Sequence, residues 1–272
     1  MSHNPDFGLV RKLYRAEIAA LPPSVDTESF TIRESVRGGL AGLYERGPIT
    51  IAVTGDSVSQ GCFGFLPPDG SDCEIDCTAV YHDRLRRMIQ SVWSSIPVNV
   101  VNAAVCGCDA DFGAKKFDER VAIHRPDLVI VCFGLNDVNN PVERYTSALS
   151  TIFGKCKAIG ADCVYMTPNM LNTARDESDP AKYLKYFDYA LTTAGLQNGG
   201  TMDTLIDAGR ATARAAGVPI ADAYAIWKSL AAAGVDTSAL LANFINHPTR
   251  EMHELFAELL FARIFGMPHI SP

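Results

Sequence analysis

Residues 49–61 read ITIAVTGDSVSQG. A nearly continuous apolar run, rich in β-branched residues, ends in Gly55-Asp56-Ser57, a combination that turns the chain. A strand that is apolar throughout, with no polar alternation, is buried on both faces, as in a parallel sheet. Four further stretches share this character: 98–103 (VNVVNA), 127–133 (DLVIVCF), 162–167 (DCVYMT) and 218–222 (VPIAD). Around them lie helix-patterned segments at 33–46, 78–95, 112–123, 142–159, 181–194, 201–216, 222–233 and 249–265. In the last of these, Met252, Phe256, Leu259, Leu260 and Ala262 recur at helical spacing. Strands alternating with helices predict an α/β fold, a three-layer α/β/α sandwich on a five-stranded parallel sheet of flavodoxin-like type. No repeat or Pro/Gly linker divides the chain. A single domain over 49–272 is expected, with residues 1–48 as a helical extension packed on it.

Composition narrows the function. The chain has 272 residues, 47% of them hydrophobic and 20% charged, and a net charge of −7. Such a chain buries a full-sized core, so disorder and a disulfide-stapled miniature are excluded. An acidic chain without a Lys/Arg cluster is a poor partner for nucleic acid. No run approaches the roughly 18 apolar residues of a membrane span, so no membrane partner is expected. Charges at Asp6, Arg11, Lys12, Arg15 and Glu17 interrupt the first twenty residues, so no signal peptide is read there and a cytoplasmic location is expected. The eight cysteines are 62, 73, 77, 106, 108, 132, 156 and 163. They read as reduced thiols, with a disulfide inside segment 61–77 as the competing reading. Their spacing makes no paired C-x-x-C arrangement, and no histidine matches it, so neither a metal site nor a cofactor is expected.

In parallel sheets ligands bind at the carboxyl ends of the strands, so chemistry is to be sought in the loops that follow them. After the first strand, Gly55 permits a tight turn and Ser57 sits at its top, where a serine can serve as nucleophile or as a helix cap. After the second, Asn102-Ala-Ala-Val-Cys-Gly107 places a glycine whose N–H can approach a substrate oxygen, or which simply turns the chain. After the third, Gly134-Leu-Asn136-Asp137 offers a neutral amide donor or an Asx-turn. Ahead of the last helix stands Asn246-His247-Pro248, the proline fixing the helix start and holding His247 in the preceding loop. Two loops, 61–77 and 168–180, are candidate walls of a substrate pocket.

A serine, a glycine, an asparagine and a histidine, in that order on successive loops, resemble the SGNH/GDSL hydrolase family. The likeness runs from residue 49 to 265. It implies a serine esterase, a carboxylic ester hydrolase with Ser57 as nucleophile and His247 as general base. The oxyanion hole it implies comes from the N–H groups of Ser57 and Gly107 and the side chain of Asn136. The substrate it implies is a small acyl ester, with an O-acetyl ester of a carbohydrate favoured. An acyltransferase, lipase or thioesterase on the same fold and a non-catalytic flavodoxin-like binder of a small ligand are the alternatives. One departure stands out. The family usually has an Asp three residues before the histidine, and here that residue is Phe244. Asn243 and a backbone carbonyl are the two candidates for orienting the imidazole.

Overall fold

The computed structural model describes residues 5–21 and 30–267. Five parallel strands form the central sheet: β1 (Ile49–Gly55), β4 (Val98–Asn102), β5 (Leu128–Cys132), β6 (Asp162–Met166) and β7 (Ile220–Ala221). Their spatial order is β4-β1-β5-β6-β7. Counting only these five, that is 2-1-3-4-5, the doubly wound flavodoxin-like order. Register pairs Val53 with Asn102 on one side and with Ile130 on the other, so the ends of β4, β1 and β5 lie side by side. Ile51, Ala52, Val53 and all of β5 are buried. Five parallel strands flanked by helices is the architecture expected from the apolar runs.

The helices are α1 (Phe7–Ala20), α2 (Thr31–Arg37), α3 (Gly39–Arg46), α4 (Ser57–Gln60), α5 (Tyr81–Val92), α6 (Ala110–Arg120), α7 (Val142–Ala158), α8 (Phe187–Asn198), α9 (Thr201–Ala215), α10 (Ala223–Ala232) and α11 (Met252–Phe265). None is long and apolar enough to cross a membrane among the described residues. Helix α11 is the most enclosed, with Leu255, Phe256, Ala257, Leu260, Phe261 and Ile264 fully buried. It packs against α5 and against α1, where Arg11 pairs with Glu254 at 2.8 Å and Arg15 with Glu258. Residues 22–29, within the expected extension, lie outside the described residues.

Four expectations need correction. The segment 33–46 is two helices, because Gly39 adopts a positive φ of 55° at their junction. The segment 181–194 is a 3₁₀ stretch (Pro180–Tyr186), broken at Leu184 by a left-handed φ of 51°, followed by α8. Segment 61–77 is no plain loop. It contains an antiparallel hairpin of β2 (Cys62–Phe65) and β3 (Cys73–Ile75). Finally, α11 begins at Met252, four residues beyond Pro248. Pro248 instead forms an isolated antiparallel bridge with Leu241. The loop holding His247 is therefore closed by backbone bonds, with Ala242 N–H donating to His247 O at 2.7 Å and Thr249 N–H to Leu240 O at 2.9 Å.

Candidate active site

Ser57 is the first residue of α4, a single turn standing on the end of β1. The turn is tight enough to demand Gly55: a Cβ there would lie 2.4 Å from Ser59 Oγ and 2.7 Å from Cys132 O. Asp56 caps the helix, its Oδ1 accepting the Val58 N–H at 3.0 Å. A helix start leaves its first N–H groups without intrahelical partners, and that of Ser57 is one of them. Asp56 is fully buried and its second oxygen has no partner among the described residues. Burial pushes its pKa up to about 7, well above an ordinary carboxyl.

His247 meets Ser57 across the sheet edge. Its Nε2 lies 2.8 Å from Ser57 Oγ, and its Nδ1 lies 2.9 Å from the carbonyl oxygen of Phe63. A carbonyl only accepts, so Nδ1 carries the proton and Nε2 is left as the acceptor that faces the hydroxyl. Both side chains are buried, at 3% and 4% exposure. Burial without an adjacent carboxylate holds the imidazolium below its ordinary pKa; the Phe63 carbonyl and Cys106 only partly oppose this.

Asn243 does not reach the ring. Its Oδ1 accepts three backbone N–H groups, from Ile245 at 3.1 Å, Asn246 at 2.9 Å and His247 at 2.8 Å, and its Nδ2 donates to Asn246 Oδ1 at 2.8 Å. Of the two candidate orienters, the carbonyl occupies Nδ1, and it is the carbonyl of Phe63 on β2. Phe244 adopts a left-handed φ of 59° and its ring packs on Tyr183 and beneath the Lys182 ammonium. The position where an Asp was expected is thus directed into an aromatic cluster.

The turns that follow the second and third strands, on either side of β1, are tied to each other. Gly107 follows β4 in an exposed turn with φ of 75°, and a Cβ there would meet nothing, so the backbone conformation alone calls for glycine. Asn136 follows β5 and donates one amide hydrogen to Cys108 O at 2.9 Å, which ties it to the turn carrying Gly107. Its second amide hydrogen remains to serve a ligand. Next to it, Asp137 accepts the Ala110 N–H at 3.0 Å, and burial raises its pKa to about 7.

Of the two segments expected as pocket walls, the hairpin sets an aromatic side chain beside His247. Phe65 on β2 stacks on Tyr186 at 4.4 Å and tilts toward the His247 ring at 6.1 Å, both rings half-buried. The segment 168–180 is hydrogen-bonded to the histidine loop. Asn169 Nδ2 donates to Asn246 O at 2.8 Å, and Asn172 N–H donates to Ile245 O at 2.9 Å.

The cysteines hold the feature that spacing did not reveal. All eight are free. The sulfurs of Cys62, Cys73 and Cys106 lie within 4.8 Å of one another, and Cys77 is not among them. Hydrogen bonds from Cys62 and Cys73 hold the Cys106 thiol below its usual pKa, and Cys62 is pushed correspondingly up.

The sequence pattern of the GDSL-like lipase/acylhydrolase family matches residues 53–255. The chain belongs to that family, and it is accordingly a carboxylic ester hydrolase. Among solved structures it is similar to an acetylxylan esterase from Geobacillus stearothermophilus, at 20% identity and a TM-score of 0.59, covering 82% of this chain and 96% of that one. Catalytic mutants of that esterase replace a serine, an aspartate and a histidine. It is similar also to an alpha/beta hydrolase enzyme from the metagenome of Lake Arreo, Spain, at 17% identity and a TM-score of 0.59, covering 79% of this chain and 94% of that one. No curated protein matches it in sequence.

Proposed function

We propose that the protein is a serine esterase that removes a small acyl group, an O-acetyl in particular, from a carbohydrate. The observation that carries this reading is the 2.8 Å contact between Ser57 Oγ and a His247 Nε2 whose ring is fixed by the Phe63 carbonyl. Ser57 Oγ attacks the ester carbonyl as Nε2 takes its proton, and the imidazolium returns that proton to the leaving alcohol. The tetrahedral oxyanion is held by the N–H groups of Ser57 and Gly107 and the free amide hydrogen of Asn136, each such donor being worth about 2.7–4 kcal/mol of barrier. Water then releases the acyl-enzyme by the same steps.

The half-buried Phe65–Tyr186 stack beside His247 favours a sugar alcohol over a lipid. A pair of aromatic faces suits the apolar face of a pyranose, with hydrogen-bonding groups around it. The likeness to an acetylxylan esterase agrees with that choice. The test is turnover of p-nitrophenyl acetate and of acetylated xylo-oligosaccharides by wild type, Ser57→Ala and His247→Ala, with fluorophosphonate labelling alongside. Both variants should lose at least a thousandfold in kcat, and both should lose the label, Ser57→Ala for want of the nucleophile and His247→Ala for want of the base that activates it. A Ser57→Ala protein with undiminished turnover would sink the reading, and equal activity on longer acyl chains would remove the acetyl preference.

A further inference from the structure

We propose that Cys62, Cys73 and Cys106 form a binding site for a thiophilic divalent cation of the zinc class, which ties the turn carrying Gly107 to the hairpin carrying Phe63. The three sulfurs come from separate segments: the start of β2, the start of β3 and the turn after β4. They nevertheless lie within 4.8 Å of one another. A tetrahedral zinc thiolate site, with Zn–S near 2.3 Å, places its sulfurs about 3.8 Å apart. The existing triangle therefore needs to contract by about 1 Å at most, a movement that side-chain rotation supplies.

The backbone beneath the triangle is already fastened. Asn102 Nδ2 donates to Ser59 O at 3.1 Å and to Gln60 O at 3.2 Å, and Gln60 Oε1 accepts the Cys106 N–H at 2.5 Å. Hairpin pairing sets Cys62 opposite Ile75 and Phe65 opposite Cys73, so the two cysteines lie diagonally across a short ribbon, near enough for their sulfurs to meet. Convergence is thus built into three segments that are fastened to one another. The thiols are also graded in exposure, with Cys62 buried, Cys73 half-buried and Cys106 exposed. A cation can enter from the Cys106 side and would keep its fourth position open to water there.

Binding forms three metal–sulfur bonds and releases the thiol protons to solvent, so it strengthens as pH rises. Its structural consequence follows from sequence neighbours. Cys62 precedes Phe63, whose carbonyl faces His247, and Cys106 precedes Gly107. A bound cation would brace both backbone groups without touching substrate.

The experiment uses the full chain, reduced, stripped with chelator and handled anaerobically. Cobalt(II) alone serves as the spectroscopic probe and zinc(II) as competitor. One cobalt per chain should bind with a thiolate charge-transfer band, zinc should bleach it, and three fewer thiols should react with a thiol reagent. Cys106→Ser, which alters an exposed residue, should lose the band and the zinc-induced rise in Tm. Cys77→Ser and Cys108→Ser should keep both. Ser57→Ala should bind metal as wild type does, which separates this site from the esterase reading. Absence of a thiolate band, or a band unaltered in Cys106→Ser, overturns the proposal. So does a disulfide between Cys106 and Cys62 or Cys73 that forms in preference to metal binding.

Discussion

Asn243→Ala is the substitution that best probes how the histidine is held. The side chain never touches the imidazole, yet one oxygen accepts the N–H groups of Ile245, Asn246 and His247 at 2.8–3.1 Å. Ile245 and His247 are 1% and 4% exposed, so two of these donors cannot turn to solvent when the acceptor goes. A buried donor left unpaired costs about 1–3 kcal/mol, so the pair predicts a loss of ~2–6 kcal/mol. The bridge of Leu241 to Pro248 and the Asn169 and Asn172 contacts keep the loop from dissolving, which places the expectation at the lower end, about 2–3 kcal/mol. A displacement of His247 by ~1 Å is enough to lower kcat about a hundredfold. Urea unfolding reads the first effect, and p-nitrophenyl acetate kinetics on the folded variant read the second. Asn243→Asp makes the complementary measurement. It keeps the acceptor for all three N–H groups but sets a carboxylate oxygen against Asn246 Oδ1, and its charge does not reach the ring. Turnover should not rise. An Asn243→Ala protein with wild-type stability and kcat, or a several-fold gain in Asn243→Asp, would refute the account in which Asn243 shapes the loop and Phe63 O orients the ring.

Two further outcomes follow from the titrating groups. As the proposed base His247 works only when neutral, and burial holds it neutral to lower pH than an ordinary histidine, so the acid limb of kcat/KM should fall below pH 6.5. A limb at or above pH 7, as a carboxylate-paired imidazole would show, counts against the carbonyl partner. Asp137 has the opposite sign: its pKa in the fold, about 7, exceeds its unfolded value of 3.8. The folded state therefore binds the extra proton, and the stability this contributes below pH 4 is lost as pH rises toward 7 and beyond. Asp137→Asn cannot ionise and keeps an acceptor for the Ala110 N–H. Against wild type it should gain on the order of a few kcal/mol between pH 4 and pH 8, measured by urea unfolding at both. A difference independent of pH would show that Asp137 is not held protonated by its burial.

What could be read from the sequence was what repeats along a chain. Strands buried on both faces announce themselves as apolar runs, and all five expected strands appear, though the last shrinks from residues 218–222 to Ile220–Ala221. Helix interruptions were less legible. Gly38-Gly39 is a visible break in retrospect, but the left-handed turn at Leu184 falls on a residue that ordinarily favours helix, and only tertiary packing enforces it. The hairpin was hidden because Cys62-Phe-Gly-Phe65 and Cys73-Glu-Ile75 are short and separated by Pro, Gly and Ser. Its strands pair with each other, outside the main sheet.

The missing aspartate and the cysteine triangle show a second limit on that reading. A side-chain partner for His247 has a residue identity that can be searched for, and the search rightly found none at Phe244. A backbone carbonyl has no identity, because every residue carries one. Phe63 O becomes the partner only because the hairpin turns β2 past the histidine loop. The same hairpin places Cys62 and Cys73 beside Cys106, which is 33 residues beyond Cys73 and on another loop. One unread element thus accounts for both omissions. It also couples them: whatever stiffens the hairpin, including a cation on its thiols, stiffens the group that sets the tautomer of the base. In a triad with a carboxylate, that orientation would be secured by charge within the histidine's own loop. Here it depends on the position of a separate ribbon, and the chemistry proposed for Ser57 inherits that ribbon's rigidity.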